Sequence, residues 1–287
     1  VEAPALEWLD EHWPKNEPAH LVMEGVDEKL RVIPRKALST KPLWILLVDP
    51  IDGTRPLMHL KRSAWILTGL APRGSTVPTL ESIVVGAMTE IPLPQARWSE
   101  QFLAIQGHEV SGWRYYLDTG VKEPCEVGPS SSEILDFGFG GLFRGIPQGR
   151  VLSSRIEERF YHLVFGERGR ERPLLFEDQY ISTGGQLHGL ITGRDLMVAD
   201  LRPLVFQALN LPGALCCHPY DLAALPVARR TGAIIRGWDS FELKAPLDTT
   251  SSVAWVGYAN EALYQKLHPL LVQAVDEVLS REIESGQ

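Results

Sequence analysis

The stretch Trp44-Ile45-Leu46-Leu47-Val48-Asp49-Pro50-Ile51-Asp52-Gly53-Thr54-Arg55 decides how this chain is read. From Leu43 to Val48 every residue is apolar, and Pro42 and Asp49 bound the run. An apolar run that short between breakers suits a strand buried on both faces better than a helix. Two aspartates, three apart, then arrive at the carboxyl end of the strand, and Gly53-Thr54 with Pro56 opens a helix. Asp49 and Asp52 can place carboxylate oxygens on one hard cation, and the turn between them frees the Ile51 carbonyl as a further ligand. Gly53 lets the backbone come close to an anion. The amides of Gly53, Thr54 and Arg55 would stand at a helix N-terminus, a ready site for phosphate. Cation and anion sites side by side point to metal-assisted phosphoryl chemistry. The plainer alternative is an Asp-rich turn in which Asp52 caps a helix.

Two features further out favour the metal. Glu24 closes the apolar run Leu21-Val22-Met23, upstream at a distance that lets the two strands be neighbours. Pro219-Tyr220-Asp221-Leu222-Ala223-Ala224-Leu225 sets another aspartate at the start of a helix rich in small residues. If Glu24, Asp49, Asp52 and Asp221 converge, their mutual repulsion raises their pKa values unless cations neutralise them.

The rest of the chain bounds the answer. Its 287 residues are 44% hydrophobic and 22% charged, a soluble globular composition with ample material for a core. Lys plus Arg number 28 against 36 Asp plus Glu, a net charge of −8, which argues against a nucleic-acid polymer or an anionic membrane surface as partner. Three cysteines, with Cys216 and Cys217 adjacent, cannot build a disulfide framework, so a reducing, cytoplasmic setting is expected. No apolar run approaches the ~20 residues of a membrane span.

Leu6, Leu9 and Trp13 fall at helical spacing before Pro14, and Ser63–Ala71 and Ile83–Met88 read as strands. Residues 106–149 are the least legible: turn signals, a capping-box pattern at Ser130-Ser131-Ser132-Glu133, and Gly138-Phe139-Gly140-Gly141, read as a loop. Ser153–Phe165 predicts an amphipathic helix. Beyond it, short apolar pieces (Pro173–Phe176, Gln186–Ile191) alternate with helical ones (Asp221–Thr231, and a last helix from Ala259 to about Arg281). Strands mixed with helices throughout imply an α/β or layered α+β fold.

The ordered set Glu24, then Asp49-Pro50-Ile51-Asp52-Gly53-Thr54, then Tyr220-Asp221-Leu222-Ala223-Ala224 resembles the inositol monophosphatase family, within the larger fructose-1,6-bisphosphatase-like superfamily. The hexapeptide Asp49 to Thr54 matches the family signature at every position. Val84-Val85-Gly86-Ala87, Phe102-Leu103-Ala104 and Gly193-Arg194 add similarity, and the resemblance runs from Val1 to about Gly237. It implies an αβαβα sandwich. The half spanning 1–150 would bind metal and phosphate, and the half spanning 151–287 would contribute the last metal aspartate. It also implies two or three Mg²⁺ ions, with Mn²⁺ as a substitute, held by Glu24, Asp49, the Ile51 carbonyl, Asp52 and Asp221. Thr54, with Glu24, would activate a water held by the metals for in-line attack on phosphorus. The activity implied is that of a phosphoric monoester hydrolase acting on a small inositol-phosphate-like or sugar-phosphate ester. The alternatives are a nucleotide 3′-phosphatase and a non-catalytic phosphate-ligand-binding protein on the same fold. A homodimer and lithium sensitivity are further expectations of the resemblance.

The chain departs from the family in several places. Tyr220 stands where Trp is usual, Gly25 follows Glu24 where a second Glu is common, and Arg55-Pro56 follows Thr54 where Asn-Phe is commoner. Arg55 is read either as a cationic contact to substrate or as a solvated helix residue. The family's upstream helical segment and metal-site aspartate would precede Val1. Either the chain continues upstream or the third, weaker metal site is absent. Leu201–Leu215 has no counterpart in the family, and it falls where an acidic residue for inositol hydroxyls belongs. Ser182 and Thr183 are candidates for contacts near the phosphate or leaving group, or else hydroxyls satisfying a local turn.

Other features carry less. Cys216-Cys217-His218 lacks a second cluster at zinc spacing. Gly138–Phe143 fails the dinucleotide fingerprint. His108, His162 and His188 are isolated and read as structural.

Overall fold

The computed structural model describes residues 2–26, 31–37, 41–74, 76–213, 216–239 and 242–285. Val1 and the end of the Leu201–Leu215 segment lie outside the described residues. Helix α1 (Glu2–His12) stops before Pro14 and leads to β1 (Ala19–Met23), β2 (Arg31–Ile33) and the long strand β3 (Trp44–Asp52). After the short helix α2 (Thr54–Met58) come β4 (Ala64–Pro72), β5 (Val85–Ile91), β6 (Trp98–Ile105), β7 (Ser111–Tyr116) and β8 (Lys122–Pro124). Next are β9 (Gly138–Leu142), α3 (Arg150–Phe165), the single turn α4 (Arg168–Glu171) and β10 (Leu175–Phe176). Helix α5 (Thr183–Ile191), β11 (Asp195–Asp200) and α6 (Arg202–Ala208) follow. A 3-10 turn at Pro219–Leu222 precedes α7 (Leu225–Arg230), β12 (Ile234–Gly237), β13 (Trp255–Tyr258) and α8 (Glu261–Ser285).

Among the described residues, one sheet has the order β2-β1-β3-β4-β5-β6-β7-β8 and a second the order β10-β9-β11-β13-β12. β1 runs parallel to β3, and from β3 onward the first sheet is an antiparallel meander. The unbroken apolar run of β3 has a direct cause, because both faces of the strand are covered. Leu46 and Val48 pack with Leu21, Met23 and Leu6 of α1, while Ile45 and Leu47 face Leu67, Leu187 and Leu222 on the other side. Helices α5 and α7 fill the space between the sheets, and α3, α6 and α8 cover the far face of the second sheet. The layers therefore run α1, first sheet, α5 with α7, second sheet, α3 with α6 and α8. This is the αβαβα sandwich that the resemblance implies. No helix among the described residues is long and apolar enough to cross a membrane.

Small residues let the middle layer approach the first sheet. Ala223 and Ala224 are fully buried, and a Cβ added to Gly69 would fall onto the Ala223 carbonyl. A Cβ on Gly86 would stand 2.8 Å from Cδ of Pro226 at the start of α7.

Two expectations are corrected. Gly138–Gly141 is a strand, β9, and not a loop. It forms in spite of glycine's poor strand propensity because Met197 of β11 packs its backbone against Gly140, where a Cβ would stand 2.6 Å from the Met197 carbonyl oxygen. Ser130–Glu133 opens no helix. The Ser132 amide instead donates to Ser130 Oγ at 3.1 Å, and Asn260, just ahead of α8, donates to the carbonyls of Ser130 and Ser132 at 2.9 and 2.8 Å. Asp221–Thr231 is helical, as read, but as two pieces, the 3-10 turn and α7. Gln186–Ile191 belongs to α5, whose start lies three residues earlier than that apolar piece.

Candidate metal centre

Strand pairing builds the acidic cluster. The parallel register pairs Met23 with Val48, and the Glu24 amide donates to the Val48 carbonyl at 3.2 Å. Glu24 is thereby set beside Asp49 at the same end of the sheet. Against β4 the register shifts: Asp49 faces Leu67, while Asp52 faces Trp65. Three steps on β3 thus answer two on β4, so a bulge at Pro50-Ile51 brings the two aspartates onto one side of the strand end. The bulge is held from within. The Ile51 amide donates to Asp49 Oδ1 at 3.0 Å, and Thr54 Oγ1 donates to the Ile51 carbonyl at 2.7 Å.

The third carboxylate comes from the middle layer. Asp221 lies in the 3-10 turn, and its Oδ2 accepts from the His218 amide at 2.6 Å. One ligand atom from each of Asp49, Asp52 and Asp221 lies within 4.8 Å of the others. Glu24, half-buried, is outside that trio, although its charge reaches all three.

Electrostatics then separates the three. Burial pushes Asp49 up to about 11, with Asp52, Asp221 and Glu24 adding to the shift in that order. Asp221 is also raised well above its ordinary value, by burial and then by Asp52. Asp52 rises only to about 6. Burial raises it, but hydrogen bonds from Gly184, Ser182 and Thr183 hold it down. Carboxylates this close cannot all ionise without compensating positive charge. The three carboxylates offer only hard oxygen donors, which suits Mg²⁺ or Mn²⁺ and not a thiolate-preferring metal. The residues present therefore fit a divalent cation centre.

Gly53 caps α2 with φ +89°, a conformation that favours glycine, and a Cβ there would stand 3.0 Å from Cβ of Ser182. Thr54 and Arg55 are exposed beside the acidic cluster. The expected phosphate-binding helix is short, since α2 has only five residues. Its dipole is correspondingly small, and any anion grip there rests on local amides.

Ser182 and Thr183 are buried. Ser182 caps α5, with Oγ accepting from the Gly185 amide at 2.9 Å and donating to Asp52 Oδ2 at 2.8 Å. The Gly184 amide donates to the same Asp52 oxygen. Thr183 Oγ1 points to Cys217 Sγ at 3.8 Å. Sequence reasoning missed this support of Asp52. The signal available was Ser182-Thr183-Gly184-Gly185 before an apolar run, an N-cap pattern that names no distant partner. Cys216 and Cys217 are buried, and burial raises both thiols, in keeping with a packing role.

No family model matches the chain, and no curated protein matches its sequence. Solved structures do match its fold. The extragenic suppressor protein suhB from Bartonella henselae has a TM-score of 0.59 at 16% identity, over 94% of this chain and 82% of that one. An inositol monophosphatase from Zymomonas mobilis gives 0.54 at 17%, over 96% and 81%. Fructose-1,6-bisphosphatase from Leishmania major in the T-state gives 0.60 at 12%, over 92% and 78%. The chain has the layered fold that inositol monophosphatases share with fructose-1,6-bisphosphatase.

Proposed function

We propose that this protein is a Mg²⁺-dependent hydrolase of small phosphomonoesters. The observation that carries the reading is the meeting of Asp49, Asp52 and Asp221, with the charge of Glu24 beside them, at the end of β3. In this fold, solved structures with similar topology include an inositol monophosphatase and a fructose-1,6-bisphosphatase.

In this reading Glu24, Asp49, the Ile51 carbonyl, Asp52 and Asp221 hold two cations, residues 1–150 supply most of the site, and residues 151–287 supply Asp221. When bound there, divalent cations would supply Lewis acidity and lower the pKa of water. Thr54 orients the nucleophile. Its hydroxyl proton is committed to the Ile51 carbonyl, so Oγ1 is left to accept a hydrogen bond from an adjacent water, which turns that water's lone pair outward. In this reading Glu24 takes the one proton that the water gives up on attack. In this reading the amides of Gly53 and Thr54 bind the phosphate, with the exposed Arg55 adding a cationic contact. Ser182 acts on the site through Asp52, and its buried hydroxyl makes no direct contact with substrate in this reading.

Phosphate release from a panel of inositol, sugar and nucleotide monoesters, with and without Mg²⁺, tests the proposal. Metal-dependent release from at least one class is expected, and the preferred ester names the substrate class. Absence of release from every ester with Mg²⁺ present contradicts it.

A further inference from the structure

Hydrolysis as proposed makes no use of a buried charged cluster in the middle of the molecule. Glu100 of β6 and His188 of α5 are 4% and 7% exposed. His188 Nε2 donates to Glu100 Oε2 at 2.8 Å, and the other carboxylate oxygen accepts from Arg114 Nε at 3.1 Å and Nη2 at 2.6 Å. The imidazole lies between Trp65 and Phe102, with ring centroids 4.7 and 5.8 Å away. Taking such groups out of water is costly, and a buried ion pair adds little net stability over apolar packing. The best-attested use of one is to fix register, because apolar contact is non-directional and a hydrogen bond is not.

The register fixed here is that of α5. His188 lies four residues after Gly184, on the same helix face and about 6 Å further along the axis. Trp65 touches both positions. A Cβ on Gly184 would stand 2.8 Å from Cβ of Trp65, and Trp65 is also the ladder partner of Asp52. Towards its start the same helix presents the Gly184 amide and Ser182 Oγ to one oxygen of Asp52. Sliding α5 by an ångström would break both hydrogen bonds, and displacements of that size cost ~10²-fold in rate at reacting centres.

We propose that His188, held by Glu100 and Arg114, is a positioning residue for the metal centre: it sets α5 along the first sheet and so aims the Asp52 carboxylate. The effect on cation binding and turnover rests on the reading of Asp52 as a metal ligand. The effect on the hydrogen bonds to Asp52 does not.

The test compares His188→Leu, His188→Gln and Glu100→Gln with the wild-type protein. Glutamine can return a donor near the place of Nε2, whereas leucine cannot. Three readouts are taken: amide hydrogen exchange of residues 183–187, Mn²⁺ binding by electron paramagnetic resonance, and steady-state hydrolysis. His188→Leu is expected to lose at least tenfold of the protection at Gly184 and Gly185 and to bind Mn²⁺ about tenfold more weakly. Its kcat is expected to fall with KM little changed, and His188→Gln to restore most of each loss. Should His188→Leu fail to fold, the isosteric Glu100→Gln reports the same pattern more mildly.

A lowered melting temperature with unchanged exchange and Mn²⁺ binding overturns the proposal, since a merely structural role gives that result. If the wild type hydrolyses esters and His188→Leu matches it in rate and exchange, the positioning role falls and the phosphatase reading stands. If no ester is hydrolysed but exchange and Mn²⁺ binding change as expected, the positioning role stands and the phosphatase reading falls.

Discussion

Asp49 and Asp52 sit on the same strand end yet meet different surroundings. Asp49 is closed in with other carboxylates, whereas Asp52 receives Ser182 Oγ and the Gly184 amide from α5. That difference puts Asp52 near 6 and Asp49 near 11 in the metal-free protein. Ser182→Ala removes one hydrogen bond to Asp52 and the N-cap of α5 together. We expect it to destabilise the protein by about 1–2 kcal/mol, as lost caps do, and to weaken Mn²⁺ binding several-fold. Urea unfolding and calorimetric titration measure the two effects, and an unchanged affinity would show that Asp52 needs no help from Ser182. At this scale much was legible. Asp49, Asp52 and Asp221, the three that meet, announce themselves through residue type and position relative to apolar runs. The partnership of Ser182 with Asp52 spans 130 residues and leaves no local trace. The reading of Ser182 and Thr183 as local or substrate-facing hydroxyls therefore lacked the partner that matters.

Among the elements, those with a clear hydrophobic period or an unbroken apolar run were readable: α1, β3, α3 and α8 all stand close to where the pattern puts them. β9 was not, because its glycines answer to the approach of β11 and not to any propensity of their own. The Ala223-Ala224 pair was visible as small residues at the start of a helix. Its cause, the close approach to Gly69, belongs to the packed structure. Gly69→Ala sets a methyl group against the Ala223 carbonyl, two residues from Asp221. A backbone atom cannot swing aside as a side chain can, so a cost toward the upper end of the usual overpacking range, about 3 kcal/mol, is expected. Weakened cation binding should accompany it, because the turn carrying Asp221 must move. Chemical denaturation together with Mn²⁺ titration checks both. Loss of stability with intact binding would place the strain elsewhere.

For the molecule as a whole, the acidic centre makes stability depend on pH in a definite direction. In the folded, metal-free protein burial and its acidic neighbours keep a proton on Asp49 up to about pH 11, whereas an unfolded aspartate loses it near ~4. Between those values the folded state binds more protons, so unfolding free energy falls as pH rises. Glu157, raised to about 8 by burial and then by Glu177, contributes in the same direction up to that pH. Glu100 is held at about 2 by His188 and Arg114 against the effect of burial, so it titrates below this window. In EDTA the melting temperature should therefore drop from pH 5 to pH 9. Saturating Mg²⁺ should remove most of that drop, because the cation takes the place of the proton, and should leave the share that belongs to Glu157. Thermal melts across pH with EDTA and with Mg²⁺ decide it, and a flat or rising profile in EDTA would count against the convergence of the carboxylates.

The most direct test of the central claim is phosphate release by the wild-type protein and by Asp52→Asn, each with Mg²⁺ and with EDTA. Circular dichroism of the variant establishes that the fold is kept. The account predicts release by the wild type in Mg²⁺ alone, and a loss of at least a hundredfold in the folded variant. Equal turnover by the two proteins, or turnover that survives EDTA, would contradict the assignment of Asp49, Asp52 and Asp221 as the metal centre of a phosphatase.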